Sequence, residues 1–177
     1  MRYFDVYFSA MTLYKDTMSE INDVLWDIGQ HISASKAHVT SAKESSARYG
    51  NVMNDRMLLS SILRAGFSYT LFERLVSLMP FNLTDWSTIL DMAPKTMARY
   101  KADDKTFRPM HAEKIIDMTK VTEAGLIFFE DMGDFKVWLR TPSIAFNKKA
   151  PMDLITDGYG RSLVLDQLVH MEHGIFI

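Results

Sequence analysis

From Met53 onward the apolar residues return at helical spacing, segment after segment, and no stretch shows the sustained alternation of a half-buried strand. Proline and glycine divide these segments. Arg56 to Ala65 ends at Gly66, a natural helix C-terminal cap, and Thr70 to Met79 stops before Pro80. Leu83 to Leu90 starts behind Asn82 or Thr84, either of which can cap it, and Pro94 opens a short helix where its missing N–H is harmless. An amphipathic helix is expected from about Pro109 to Met132, with Ala112, Ile115, Ile116, Thr119 and Leu126 at helical spacing and a break at Gly133. Phe135 to Leu139 adds a turn or two before Pro142, and Asn147 to Ala150 forms a basic loop. A last helix, about Arg161 to His173, turns Val164, Leu165, Leu168 and Met171 inward. The chain reads as all-α.

Residues 10–33 predict one more helix, with an unusually regular seam. Met11, Tyr14, Met18, Ile21, Leu25, Ile28 and Ile32 alternate spacings of three and four, a seven-residue repeat. Gly29 and the modest length weaken a free-standing coiled coil. The seam therefore packs on a neighbouring helix or on its own copy across a dimer. The serine-rich stretch from Ser33 to Ser46 reads as a linker. The resulting division is 1–52, a helix plus linker with a candidate dimer seam; 53–108; and 109–177.

A hydrophobic content of 47% and a charged content of 24% over 177 residues suit one ordinary domain or two small helical ones. No apolar run approaches the roughly 18 residues of a membrane span, so no membrane partner is expected. Asp5 interrupts the aromatic start, and no small-residue cleavage site follows, which argues against a secretory signal. The absence of cysteine removes disulfides, thiolate metal sites and a cysteine nucleophile, and fits a cytoplasmic home.

Net charge is −2, but it is unevenly spread. Between Pro94 and Arg108, five basic residues (Lys95, Arg99, Lys101, Lys105 and Arg108) face only Asp103 and Asp104. This basic strip coincides with two short helices joined by Asp91-Met92-Ala93, the dimensions of a helix-turn-helix. Met92 would plug the angle, and Lys95 and Arg99 would share a face at i, i+4. Lys95, Thr96, Arg99, Tyr100 and Lys101 are the candidate DNA-contacting residues. A solvated helix face is the competing account of the same strip.

The chain closes on His170-Met171-Glu172-His173-Gly174-Ile175-Phe176-Ile177, a helix end followed by three large apolar side chains. Burying an Ile or Phe side chain is worth roughly 1.5–3 kcal/mol. Such a tail either folds back on its own domain or inserts into another protein. Motifs of catalysis are missing: there is no Gly-x-Ser-x-Gly elbow, phosphate-binding glycine loop or paired-histidine zinc sequence. The expectation is a non-enzyme without metal or cofactor.

Residues Phe67 to Ile177 resemble the Xre/MbcA/ParS antitoxins, the partners of RES-domain toxins. Phe67-Ser68-Tyr69, Phe72-Glu73-Arg74-Leu75 and Leu90-Asp91-Met92-Ala93-Pro94-Lys95-Thr96-Met97 are similar to the family's Xre-like helix-turn-helix segment. Trp138-Leu139-Arg140-Thr141-Pro142, Pro151-Met152-Asp153-Leu154, Gly160, Val164, Asp166, Leu168 and the closing Glu172-His173-Gly174-Ile175-Phe176 are similar to its toxin-binding domain. The resemblance implies a helix-turn-helix domain over 53–108 and a toxin-binding domain over 109–177, and is silent on residues 1–52. It implies a RES-domain, NAD-consuming toxin as partner, whose nucleotide site the C-terminal region obstructs. Arg140, His170, Met171, Glu172, His173, Gly174, Ile175, Phe176 and Ile177 become the candidate toxin contacts, with Ile175 to Ile177 anchoring in apolar walls and Glu172 meeting cationic groups. Operator DNA is a second implied partner, in a homodimer or a larger assembly with toxin.

The chain departs from the family in four places. Asn147 and Lys148 stand where glycines are usual, His170 where an arginine is usual, Ala93 where a serine caps the second helix, and Tyr100 follows Arg99 where basic residues adjoin. The alternative reading is a stand-alone helix-turn-helix regulator whose tail docks on its own domain.

Overall fold

The structure, a computed structural model, describes residues 2–34, 52–129 and 131–174, with side chains of the first helix described at 12 and from 14 to 29. The described residues are all-α, with only two isolated β-bridges, Ser68 with Thr106 and Ser143 with Lys149. The helices are α1 (Arg2–Ala34), α2 (Arg56–Ala65), α3 (Tyr69–Val76), α4 (Leu83–Ile89), α5 (Pro94–Ala102), α6 (Pro109–Phe129), α7 (Met132–Arg140), α8 (Pro151–Leu154) and α9 (Gly158–Glu172). Among these described helices, none is long and apolar enough to cross a membrane.

α1 starts earlier than the expected residue 10, because neither glycine nor proline stands in the residues before it. Its seam is used inside the chain. Met18, Ile21, Leu25 and Ile28 are buried, along with Val24, and the helix packs on α2, α3 and α6. Gly29 explains itself at this crossing: a Cβ there would lie 2.7 Å from Leu58 Cδ1, so the missing side chain admits α2. Arg74 Nη1 donates to Asp27 Oδ2 at 3.0 Å, joining α3 to α1. The side chains of Met11 and Ile32, and residues 35–46 of the expected linker, lie outside the described residues.

α6 differs from the expected amphipathic helix. Ala112, Ile115, Ile116, Met118, Thr119, Val121, Thr122, Gly125 and Leu126 are buried, and α1, α2, α7 and α9 all pack against it. A helix covered on several sides has little use for a polar face. Its buried hydroxyls are satisfied locally: Thr119 donates to Ile115 O at 3.0 Å and Thr122 to Met118 O at 2.9 Å. The break after α6 also falls earlier than Gly133. Asp131 caps α7 by accepting from the N–H groups of Gly133 and Asp134, which takes Gly133 into the new helix. Gly125 faces Phe135 so closely that a Cβ would meet its ring at 2.1 Å.

α9 starts at Gly158, ahead of the expected Arg161, because the Asp157 carboxylate accepts the Gly160 N–H at 2.9 Å. Two glycines in its first turn hide this start from a propensity reading. Gly160 is required there by packing: a Cβ would come within 1.9 Å of Leu154 O.

Candidate functional site: two short helices at a tight turn and a helical C-terminal module

The three-residue turn is built as its spacing suggests. Asn82 and Asp85 form a reciprocal cap at the start of α4, with Asp85 N–H on Asn82 Oδ1 at 2.9 Å and Asn82 N–H on Asp85 Oδ2 at 2.8 Å. At the other end Asp91 takes a left-handed φ of 52°, and Met92 is buried in the angle between α4 and α5. The Met92 N–H reaches Ser87 O at 2.9 Å, and Lys114 Nζ on α6 donates to Ile89 O at 2.8 Å. Behind the turn, Phe72 stands edge-on to Trp86 with ring centres 5.3 Å apart and lies 4.8 Å from Phe107.

The five residues expected to contact DNA divide into two groups. Lys95 and Arg99 are exposed on α5 with Thr96 between them, half-buried. Tyr100 turns inward, its ring centre 5.2 Å from that of Phe107. Lys101 is exposed but bound to the Glu73 carboxylate of α3, whose hydrogen bond, and then its charge, raises the lysine pKa. Lys105 pairs with Asp103 at 3.0 Å. Two of the strip's five cations, Lys101 and Lys105, are thus paired within the chain. The start of α5 has Ala93 at the cap with no side-chain hydrogen bond.

In the C-terminal part, Trp138 is half-buried among Phe129, Phe135 and Phe146, at centre distances of 5.5, 6.0 and 6.1 Å. Arg140 ends α7 and donates from Nη2 to Asp85 Oδ2 at 2.6 Å, bridging to α4. Between them lies an open groove of about 620 Å³, lined by Met79 to Asn82 on one side and Lys136, Val137, Arg140 and Thr141 on the other. The next loop reverses in a two-residue turn with positive φ at both Asn147 (53°) and Lys148 (64°), closed by Lys149 N–H on Phe146 O at 3.1 Å.

Along the closing segment, His170 is half-buried, Met171 is buried with the core side of α9, and Glu172, His173 and Gly174 are exposed. His173 Nδ1 lies 2.9 Å from Val169 O, the contact of a helix-end histidine with a terminal carbonyl. Gly174 ends the helix with φ 72° and donates its N–H to Met171 O at 3.0 Å. The anchors Ile175, Phe176 and Ile177 lie outside the described residues.

Two side chains carry more than their sequence context suggested. Arg161, on α9, is buried and donates from Nε to Asp117 Oδ2 and from Nη1 to Ile155 O, both at 3.3 Å, tying α9 to α6 and to the turn after α8. His111 is half-buried, with an Nδ1 that finds no hydrogen-bond partner among the described residues. Burial pushes its pKa down, Lys114 and Arg108 push the same way, and Asp91 opposes them. Arg161 is hard to find from sequence, because its carboxylate partner Asp117 lies 44 positions away on α6.

Surface composition separates the C-terminal module from the rest. Among the described residues, Ile127, Val137, Ile144, Tyr159, Leu163 and Val169 are exposed large apolar side chains within 124–174; Met57, Leu83 and Met110 are those outside it. No group of three or more His, Cys, Asp or Glu among the described residues is placed to hold a metal ion.

Residues 124–174 match the model of the antitoxin Xre/MbcA/ParS C-terminal toxin-binding domain. The match covers the last turns of α6 and all of α7, α8 and α9. No curated protein matches the chain.

Proposed function

We propose that this chain, which carries a toxin-binding domain of the Xre/MbcA/ParS antitoxins over residues 124–174, neutralises a RES-domain, NAD-consuming toxin by blocking its active site. The toxin-binding domain is the observation that carries the reading. It is a binding module, not a catalytic one. Its geometry supports the rest: α9 is followed by exposed His173 and Gly174 beside the exposed Glu172, and Gly174 ends the helix with a left-handed φ. In this reading Glu172 meets cationic groups that otherwise hold the nucleotide's phosphates, and the three apolar residues fill the walls behind them.

The helix-turn-helix supports a second activity, repression of the chain's own operon. Lys95, Thr96 and Arg99 stand at the start of α5 on its open side, where a recognition helix presents side chains to the major groove. A single unit with so few phosphate contacts binds weakly, so repression calls for two copies, brought together by the chain itself or by toxin.

The test is neutralisation in cells that express a NAD-consuming RES-domain toxin together with this chain. The full chain is expected to restore NAD levels; a chain ending at Gly174, or one carrying Glu172→Lys, is expected to fail while keeping its helical circular-dichroism spectrum. Protection by the shortened chain equal to that of the full one would refute the stopper mechanism. The stand-alone regulator reading predicts the reverse pattern, tight operator binding with no toxin partner.

A further inference from the structure

We propose that the solvent face of α9, carrying Tyr159, Leu163, Asp166 and Val169, docks onto the body of the toxin, separately from the tail that closes the toxin's site. The proposal rests on the antitoxin reading and assigns it a second, distinct contact surface.

α9 is apolar on both sides. Val164, Leu168 and Met171 are buried against the chain's own core, yet Tyr159 is 90% exposed, Leu163 55% and Val169 45%. Tyr159 and Leu163 stand one turn apart on the outward line, His170 continues it two turns later, and Val169 flanks it. A helix with large apolar side chains on two of its sides belongs between two partners, and the described residues supply only one of them. The concentration of exposed apolar side chains within the matched toxin-binding region says what the other is.

Asp166 narrows the partner's chemistry. It is exposed near the middle of this face and makes no ion pair among the described residues. A carboxylate brought into an apolar contact must be met by a cation or by N–H donors. The toxin surface is therefore an apolar groove about 15 Å long, the rise from Tyr159 to Val169, with a cationic or donor group near its centre. This is the helix-in-groove mode of recognition.

The experiment measures binding of the full-length chain to a purified RES-domain toxin, by calorimetry, with circular dichroism to confirm folding. The double variant Tyr159→Ser/Leu163→Ser is expected to bind roughly tenfold or more weakly, and Asp166→Lys to lose more affinity than Asp166→Asn. The chain ending at Gly174 is expected to keep most of its affinity while losing inhibition. If wild type binds and the double variant binds equally well, the α9 face is overturned and the antitoxin reading stands. If wild type does not bind, both fall. If light scattering shows the double variant turning a dimer of this chain into monomers with toxin affinity unchanged, the face belongs to self-association and the proposal is overturned.

Discussion

The Arg140 guanidinium and the Asp85 carboxylate meet at 2.6 Å, joining the end of α7 to the start of α4. Asp85 Oδ2 also accepts the Asn82 N–H at 2.8 Å, so one oxygen serves both a helix cap and a contact between the two halves of the chain. Asp85→Ala is expected to destabilise by about 1–2 kcal/mol, most of it the lost cap. Arg140→Ala is expected to cost under about 1 kcal/mol, because its side chain is 40% exposed and water screens the pair. Urea denaturation of the two single variants and the double variant measures the coupling directly. Strict additivity would show that the pair contributes nothing to stability.

The turn at Asn147 and Lys148 holds two non-glycine residues at positive φ. A lysine in this region is strained by roughly 1–2 kcal/mol, whereas asparagine tolerates it better and an Asn-Gly pair suits such a turn. Lys148→Gly is therefore expected to raise stability by about 1 kcal/mol, less the entropy that glycine adds to the unfolded chain. A thermal melt at neutral pH checks it; an unchanged or lower midpoint would show that the strain is relieved elsewhere.

His111 makes stability depend on pH. Its folded pKa lies below the ordinary 6.5, so as pH falls the unfolded chain takes up the proton first. The stabilisation from keeping it neutral is whole above 6.5 and is lost as pH falls through that value and on through the depressed one. Wild type is expected to lose stability between pH 7.5 and 5 more steeply than His111→Phe, in denaturant midpoints measured across that range. Parallel curves would assign the acid sensitivity to other groups.

If the helix-turn-helix binds its operator, its cations will not count equally. Arg99 is free to reach DNA, while Lys101 must first leave Glu73. Arg99→Ala is expected to weaken binding to the promoter fragment by roughly tenfold, as for a base-contacting arginine. Lys101→Ala should change it by less than about threefold, and Glu73→Gln should strengthen it by freeing the lysine. Titrations at two salt concentrations separate these effects; equal losses at Arg99 and Lys101 would contradict the division.

Local signals were legible where the chemistry was local. Pro94 at the first turn of α5, Met92 in the interhelical angle and Gly66 after α2 are fixed by residues within a few positions of one another. The α1 seam was also readable as a stripe, but its alternatives, a copy of itself or a neighbour, differ only in what lies across from it. The leucine opposite Gly29 comes from α2, 29 positions further on. α6 misled for a related reason. Its one-sided pattern at Ala112, Ile115, Ile116 and Thr119 is real, but Met118, Val121 and Thr122 are covered by elements that a window of the sequence does not contain. Among the candidate contacts, Lys95 and Arg99 were visible as exposed cations at i, i+4. The capture of Lys101 by Glu73 and of Arg140 by Asp85 required the fold.

The match to the toxin-binding domain begins at residue 124, four turns into α6, yet the inner wall that α9 rests on starts well before it: Arg161 is held by Asp117, and α1 packs on α6 as well. Inherited unit and mechanical unit therefore do not coincide. A fragment cut at the inherited boundary would begin in mid-helix, stripped of the carboxylate that seats its last helix. Any partner that grips this end of the molecule is gripping a spar that reaches back to the turn before α5, where Lys114 holds the Ile89 carbonyl at the end of α4.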